Sequence, residues 1–258
     1  MDTPQIERIR SYLTKLKLQN TALNLDSLLQ DASREEMAYS EFLDRLLQNE
    51  LGYKSEKQIS MHLNMAKLPF KKTIETFDFD FQPSLDKKKI HELASNAYIE
   101  RAENIILLGP PGTGKTHLAV AFGIKAIQQG YRPLFCQAAT LVTSLTKAYA
   151  ENRFEEKLKT LTMPKLLILD EIGYVPVDTH GAHLLFQLIS RRYEKGSIIV
   201  TSNRGFGQWG EIFGDQIIAT AILDRLLHHS SILNIKGESY RLKEKMKAGI
   251  LPRGERDE

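Results

Sequence analysis

A glycine-rich stretch, GPPGTGKT from Gly109 to Thr116, is the part of the sequence whose residue types most directly imply chemistry. Glycines lack a Cβ atom, so the backbone can curl and direct several N–H groups at one anion. Lys115 supplies a positive charge for the β- and γ-phosphates of a nucleotide, and the Thr116 hydroxyl can hold Mg²⁺. An apolar strand precedes the stretch and an amphipathic run follows it, which favours a phosphate-binding loop over a plain glycine turn.

The predicted nucleotide contacts continue from this loop into the first turn of the following helix, whose dipole attracts phosphate. They comprise Gly109, Pro110, Pro111, Gly112, Thr113, Gly114, Lys115, Thr116 and His117. For His117 we expect packing rather than a part in catalysis.

Two acids, Asp170 and Glu171, end a second apolar segment in LLILDEIG. A carboxylate at the carboxyl end of a parallel strand faces the ligand crevice. We therefore expect Asp170, with Thr116, to hold Mg²⁺, and Glu171 to orient or deprotonate the attacking water. The alternative is that both acids cap the next helix.

Asn203 and Arg225 are further candidates for the hydrolytic step. Asn203 closes the strand IIVTSN, so its amide should lie beside Glu171 and position the attacking water. The alternative is that Asn203 only forms a turn, since SNRG is also a sequence typical of turns. Arg225 would stabilise transition-state charge if it reached the γ-phosphate bound to a neighbouring subunit. A local ion pair with Asp224, or a solvated position, explains Arg225 equally well.

Short apolar strands alternate with helical patterns in the second half of the chain. The five strands are NIILL, RPLFCQ, KLLILD, SIIVTSN and SILNI, and the helical patterns include residues 85–97 and 141–161. This alternation predicts an α/β fold with a parallel five-stranded sheet covered on both faces.

The first part of the chain has the pattern of several short helices. Gly52 is expected to end one of them, with Ser55 capping the next, and Ser33 with Glu36 forms a capping-box pattern. The stretch KLPFKKTIETFDFDFQPS has two prolines and no periodicity, so it marks a boundary. We predict a small all-helical domain over residues 1–67 and a second domain over 68–258.

Composition sets limits on class and compartment. The 258 residues carry a formal net charge of +3, which permits anionic partners, and the single cysteine, Cys136, excludes an internal disulfide. The sequence has neither an apolar run long enough to cross a bilayer nor the apolar core of a signal peptide at its start. We expect a cytoplasmic protein without membrane contact.

With these motifs in order, the chain resembles the AAA+ ATPases. It is similar in particular to the IstB-like transposition helper ATPases of bacterial insertion sequences, which are relatives of the DnaC helicase loaders. The segments that carry the resemblance are LPFKKTIETFDFDF, LLGPPGTGKTHLAVAFG, LLILDEIGYVPV, LLFQLISRRYE, TSNRGFGQWGEIFGD, AILDRLLHHS and GESYRLK. QWGEIFGD and AILDRLLHHS, in this order and at this distance, are the most specific.

The resemblance implies an AAA+ P-loop core and a role for each candidate residue. Gly109–Thr116 would be Walker A, with Lys115 catalytic, while Asp170 and Glu171 would be Walker B. Asn203 would be sensor 1 and Arg225 the arginine finger. Arg241, in SYRLK, would contact nucleotide from the C-terminal side, in a branch whose lid is reduced.

The resemblance also implies the ligands and partners. These are ATP and Mg²⁺, double-stranded DNA bound largely without sequence specificity, a cognate transposase, and a homo-oligomer with ATP at its subunit interfaces. The chain would be an ATPase that assembles on and remodels target DNA and recruits or regulates the transposase. A DnaC-like loader of the replicative helicase would use the same catalytic residues, so that alternative stays open.

Two other classes fit less well. The intact pair Asp170–Glu171 argues against a scaffold that uses ATP only for assembly, because such a scaffold needs no acid to orient water. A small-molecule P-loop kinase would need an acceptor pocket and a mobile arginine-bearing lid, and neither is evident in the sequence. The chain departs from the helper pattern at one place. Helpers of this type often carry an arginine-dense helix just before the FDF segment, whereas the corresponding stretch here, YKSEKQISMHLNMAKLPFKK, has lysines and no arginine. Its lysines are as consistent with a solvated helix face as with phosphate contacts.

Overall fold

The computed structural model of the chain describes residues 3–174 and 176–247. It divides into two compact units, Met1–Met61 and His62–Glu258. Residues 62–67, which the sequence pattern groups with the helical domain, belong to the second unit, where the Ala66 carbonyl accepts a hydrogen bond from the amide of Phe135 at 2.9 Å. Val175 of the quoted LLILDEIGYVPV segment and residues 248–258 of the predicted second domain lie outside the described residues.

The first unit is helical, as predicted, but its helices are longer than the sequence pattern indicates. They are α1 (Thr3–Lys15), α2 (Gln19–Arg34) and α3 (Tyr39–Met65), the last of which continues into the second unit. Inside the first unit, the buried carboxylate of Glu50 accepts hydrogen bonds from the amide and hydroxyl of Thr21, at 2.8 and 2.9 Å. This contact satisfies an amide in the first turn of α2, which has no partner within its own helix.

Three expectations about these helices are wrong. Gly52 does not end a helix and Ser55 does not cap one, because α3 runs through both; one interior glycine costs only about 1 kcal/mol, which a helix of 27 residues tolerates. Ser33 does not start a helix either, since it lies in the last turn of α2. Glu36, its supposed capping partner, has a φ of +50°, which does not fit the first turn of a right-handed helix.

The second unit contains the predicted parallel five-stranded sheet. The strands are β1 (Asn104–Leu108), β2 (Leu134–Gln137), β3 (Leu166–Ile172), β4 (Ser197–Ser202) and β5 (Ser230–Asn234). Their order is β2-β3-β4-β1-β5, and every neighbouring pair is parallel. The strand before the glycine loop is therefore flanked on both sides, so the loop emerges from the interior of the sheet.

Helices connect these strands, and a short 3₁₀ turn spans Phe206–Gln208. They are α4 (Lys87–Leu93), α5 (Ala97–Glu100), α6 (Lys115–Gln128), α7 (Ala138–Ala150), α8 (Phe154–Thr162), α9 (Thr179–Arg192), α10 (Trp209–Phe213), α11 (Gln216–Leu227) and α12 (Tyr240–Lys247). Two helices predicted as continuous are divided. Asn152, at φ +56°, separates α7 from α8, and Asn96, at φ +62°, precedes α5.

Apolar side chains that alternate between the two faces of the sheet form a hydrophobic core on each face. Ile106 packs into one cluster with residues of α7, α8, α9 and α11, whereas Ile105 and Leu107 pack into the other with residues of α4 and α6. Successive side chains of a strand point to opposite faces, so a continuous apolar run serves both cores. No helix in the described part of the chain is long and apolar enough to cross a membrane.

Candidate nucleotide-binding site

A cavity of about 430 Å³ opens where the strands of the sheet end at their carboxyl termini. Four parts of the chain line it: the segment before β1, the glycine loop with the first turn of α6, the ends of β3 and β4, and the start of α12. In open parallel sheets this edge is where ligands bind. The cavity therefore brings together motifs that lie far apart in the sequence.

The glycine loop has a backbone conformation that only glycine adopts without strain. Gly112 has a φ of +82°, and Gly114, which immediately precedes α6, has a φ of +97°. A Cβ atom at Gly114 would lie 2.6 Å from the ring of Phe77. The loop consequently turns directly into α6 with its amides at the helix N-terminus, the arrangement that binds phosphate.

Lys115 lies in the first turn of α6 and is largely buried. Its ammonium donates hydrogen bonds to the carbonyl oxygens of Gly109 and Pro110, both at 2.7 Å. Burial lowers the pKa of Lys115, and the nearby charge of Asp170 opposes that shift. A cation that is poorly hydrated and held by neutral carbonyls is well suited to bind an anion such as phosphate.

Thr116 and Asp170 lie together, as the sequence predicts for a shared metal ion. The Thr116 hydroxyl is 2.9 Å from Oδ1 of Asp170 and 3.2 Å from Oδ2. Burial raises the pKa of Asp170, while hydrogen bonds from Thr201 and Thr116 lower it. Hydroxyl and carboxylate oxygens are hard donors of the type that Mg²⁺ prefers, so this pair fits that ion.

Glu171 and Asn203 both line the cavity: Glu171 lies on β3, and Asn203 directly follows the adjacent strand β4. Glu171 has a φ of +63°, in the left-handed region. Oδ1 of Asn203 is buried and has no hydrogen-bond partner among the described residues. An unpaired buried amide oxygen is uncommon in proteins, and it lies at the end of β4 beside the cavity.

Of the remaining predicted contacts, Arg241 and His117 also line the cavity. Arg241 is exposed, at the start of α12. His117 donates a hydrogen bond from Nε2 to the carbonyl of Thr73 at 2.8 Å, and its ring meets the edge of Phe77. These contacts are the packing role expected for His117, and they join α6 to the segment before β1.

Arg225 lies outside this cavity, on α11. Its guanidinium lies 4.5 Å from the ring centre of Phe186, and Nη1 donates to the carbonyl of Ala221 at 3.2 Å. The alternative ion pair with Asp224 is not among the ion pairs of residues 3–174 and 176–247. The guanidinium is therefore positioned by an aromatic ring, and Arg225 as a whole is partly buried.

The sequence interpretation missed two groups of site residues. Thr201 on β4 contacts both Asp170 and Glu171, and the period-two alternation from Asn203 back to Thr201 was a signal for it. The second group is the lining between Phe70 and Gln82, together with Tyr240. These residues lie in segments without periodicity or far from the loop in sequence, so local patterns do not reveal them.

Comparison with known proteins connects this geometry to a family. The family model described as IstB-like ATP binding protein matches residues 11–248. A Pseudomonas aeruginosa protein, named as an ATP-binding protein of insertion sequence IS21, is 54% identical over 246 residues, which cover 95% of this chain and 93% of that protein. A Geobacillus stearothermophilus protein, named as an ATP-binding protein of insertion sequence IS5376, is 51% identical over 239 residues, which cover 93% of this chain and 95% of that protein.

Solved structures share the fold. The DnaC helicase loader matches with a TM-score of 0.50 and 25% identity, over 58% of this chain and 87% of that one. Together with the strand order β2-β3-β4-β1-β5, this match confirms the predicted AAA+ P-loop fold.

Proposed function

The chain belongs to the family of IstB-like ATP-binding proteins, and we propose that it is an ATPase that assembles on double-stranded DNA and recruits a transposase. One observation carries the proposal: a single cavity collects the phosphate-binding loop, the acid Glu171 and the amide Asn203. Binding ATP needs the loop alone, whereas a hydrolytic water needs an acid and an amide at the ends of neighbouring strands.

ATP binding begins with the loop and the N-terminus of α6. Backbone amides from Gly112 to Thr116 and the helix dipole attract the phosphates, and the Lys115 ammonium adds a full charge. Because Lys115 already lies in a poorly hydrated position, its attraction to phosphate is weakened little by water. Arg241 approaches from the C-terminal side of the same cavity.

Thr116 and Asp170 would hold Mg²⁺, since their side-chain oxygens already lie 2.9 Å apart. When bound, the ion neutralises charge on the β- and γ-phosphates. The chain's own contribution is to present the Asp170 carboxylate in a fixed orientation, held by hydroxyl donors on both α6 and β4.

Hydrolysis requires a water in line with the bond to the leaving ADP. Glu171 accepts a proton from that water, and the side-chain amide of Asn203, which lines the same cavity, orients it. The water oxygen forms a bond to the γ-phosphorus while the bond to the bridging oxygen breaks, which leaves ADP and inorganic phosphate.

Assembly would complete this site. Arg225 lies outside its own cavity and is partly buried, with its guanidinium over the ring of Phe186. An arginine in that position can serve a γ-phosphate bound to a second copy of the chain, where it stabilises transition-state charge. ATP would then act at the interface between subunits and couple hydrolysis to assembly.

DNA and the transposase are the partners that the family context favours. The relatives named above are proteins of insertion sequences, and a net charge of +3 permits non-specific contact with phosphates. We place partner or DNA contacts in the helical unit, residues 1–67 by its predicted bounds. There, large apolar side chains such as Leu16, Leu23 and Tyr39 are 67%, 76% and 95% exposed, so they are available for contact with a partner.

Glu171→Gln tests the proposal. The variant should still bind ATP but should turn it over about 100-fold more slowly, since it lacks the base. It should also stay longer on duplex DNA, because release follows hydrolysis. Glu156→Gln, at an exposed position on α8, is the matched control and should behave as wild type. Wild-type protein that shows no ATP turnover with or without duplex DNA would refute the ATPase function.

A helicase loader is the second candidate, favoured by the likeness to the DnaC helicase loader. The two candidates share the catalytic residues, so kinetics cannot separate them. Pull-down with a replicative helicase and, in parallel, with the transposase of the same insertion sequence distinguishes them. Retention of the helicase alone would replace the transposition proposal.

A further inference from the structure

We propose that Thr201 is the positioning residue that holds the two acids of the site, Asp170 and Glu171, in their working arrangement. The inference rests on the proposed ATPase function. Thr201 lies near the end of β4 and is fully buried. It therefore acts through its contacts with other residues of the site.

The hydroxyl of Thr201 joins both acids at once. Its Oγ1 donates to Oδ1 of Asp170 at 2.6 Å and accepts from the backbone amide of Glu171 at 2.8 Å. An ionised carboxylate can only accept and an amide can only donate, so the hydroxyl proton has one possible direction. The three residues thus form a fixed chain of hydrogen bonds from Glu171 to Asp170.

The strand register explains why this contact is needed. Leu169 pairs with Val200 and Ile172 pairs with Ser202, so two residues of β3 face the single residue Thr201 on β4. Such a bulge disrupts the regular ladder and redirects a side chain. The Thr201 hydroxyl gives the Glu171 amide its partner at this irregularity.

The same bulge places Glu171 in a conformation that L-residues rarely adopt, with a φ of +63°. An amide fixed by Thr201 stabilises that conformation and with it the direction of the Glu171 carboxylate. For Asp170, the other hydroxyl donor is Thr116, which is itself a candidate metal ligand. Thr201 is not itself a candidate metal ligand, so its hydroxyl serves to hold Asp170 and the Glu171 amide in place.

The test compares Thr201→Val, which keeps the shape and removes the hydroxyl, with Thr201→Ser, which keeps the hydroxyl. Thr201→Val should lower kcat by about tenfold or more and should raise the Mg²⁺ concentration needed for tight binding of a fluorescent ATP analogue by a similar factor. Binding of the same analogue in EDTA should be unchanged. Thr201→Ser should restore both readouts to within about threefold of wild type.

Ser197→Ala is the matched control. Ser197 is equally buried on the same strand, and its hydroxyl donates to the carbonyl of Tyr98 at 3.1 Å, away from the cavity. It should lose stability without a change in kcat or Mg²⁺ dependence. If Ser197→Ala reproduced the kinetic defect of Thr201→Val, a general loss of packing would explain both, and the positioning role would be wrong.

Other outcomes are also decisive. An active wild type with an equally active Thr201→Val overturns this inference and leaves the ATPase function intact, whereas an inactive wild type refutes the ATPase function itself. If Thr201→Val does not fold, Thr201→Ala against Thr201→Ser repeats the comparison, since these two differ by the hydroxyl alone. If neither Val nor Ala folds, the hydroxyl is structural and the proposal fails.

Discussion

The backbone amide of Tyr240 donates a hydrogen bond to the carbonyl oxygen of Gly112 at 3.0 Å. This bond fastens the C-terminal segment of the second unit to the middle of the phosphate-binding loop. Gln82 supports the same segment by donating to the carbonyl of Glu238 at 3.3 Å. The loop that binds phosphate is therefore in direct contact with residues that follow the last strand.

Gly112→Ala should weaken ATP binding by about tenfold or more, because the loop and the C-terminal segment cannot both keep their positions. The added methyl group would lie 2.0 Å from Oγ of Ser239 and 3.2 Å from its Cα atom. Titration with a fluorescent ATP analogue measures the effect. Gly130→Ala is the control, since Gly130 has a similar φ of +87° but open space around it. Equal losses of affinity in both variants would show that backbone strain alone is responsible.

The Gly112–Tyr240 contact also shows what the sequence can and cannot predict. The glycine loop, the acids after β3 and the asparagine after β4 follow from local patterns, because each motif ends an apolar strand. Tyr240 lies far along the chain from Gly112, and no local rule links the two. Thr201 is similar, since its role depends on the register between β3 and β4.

The helix boundaries give the same lesson in energetic terms. Gly52 looked like a helix end because glycine is a poor helix former, yet its cost of about 1 kcal/mol does not interrupt the 27 residues of α3. Ser33 matched a capping pattern that the chain does not use. Local preferences of this size do not by themselves fix where a helix begins or ends.

Arg192→Leu should destabilise the chain by about 3 kcal/mol or more, because it leaves buried carbonyls unpaired. Arg192 is 1% exposed, and its guanidinium donates to the carbonyls of Leu161, Pro164, Lys165 and Ser197 at 2.8 to 3.2 Å. Burial lowers its pKa to about 10. Urea unfolding measures the loss.

The neighbouring residue provides the control for that measurement. Arg191 is exposed and pairs with Glu155 at 2.7 Å. Arg191→Leu should change the free energy of unfolding by about 0.5 kcal/mol, the scale of a surface ion pair. A similar loss in both variants would mean that the four carbonyl bonds of Arg192 contribute little.

His117 should make stability depend on pH just below neutrality. Burial lowers the pKa of His117 below its ordinary value of 6.5. Between the folded-state and the unfolded-state pKa of His117, the unfolded chain binds more protons than the folded chain. The contribution of neutral His117 to the free energy of unfolding is therefore fully present above pH 6.5, and it is lost as the pH falls through that window. Between about pH 7.5 and pH 5, the fall in Tm should be smaller for His117→Gln than for wild type. The control variant His183→Gln, at an exposed position on α9, should show the same fall in Tm as wild type. An identical fall in Tm in all three proteins would show that His117 does not cause the pH dependence.

Arg225 should act on ATP bound to a different copy of the chain, since it lies outside its own cavity and rests on Phe186. Arg225→Ala and Lys115→Ala should each hydrolyse ATP at least about tenfold more slowly than wild type. Mixed together with duplex DNA, they should recover part of the activity, because Lys115→Ala subunits supply the arginine to intact sites of Arg225→Ala subunits. Arg225→Ala mixed with the double variant Lys115→Ala/Arg225→Ala should recover none. Steady-state phosphate release, measured across mixing ratios, reports the recovered activity. If the mixture of single variants is no more active than its components, Arg225 acts within its own subunit or has no part in catalysis.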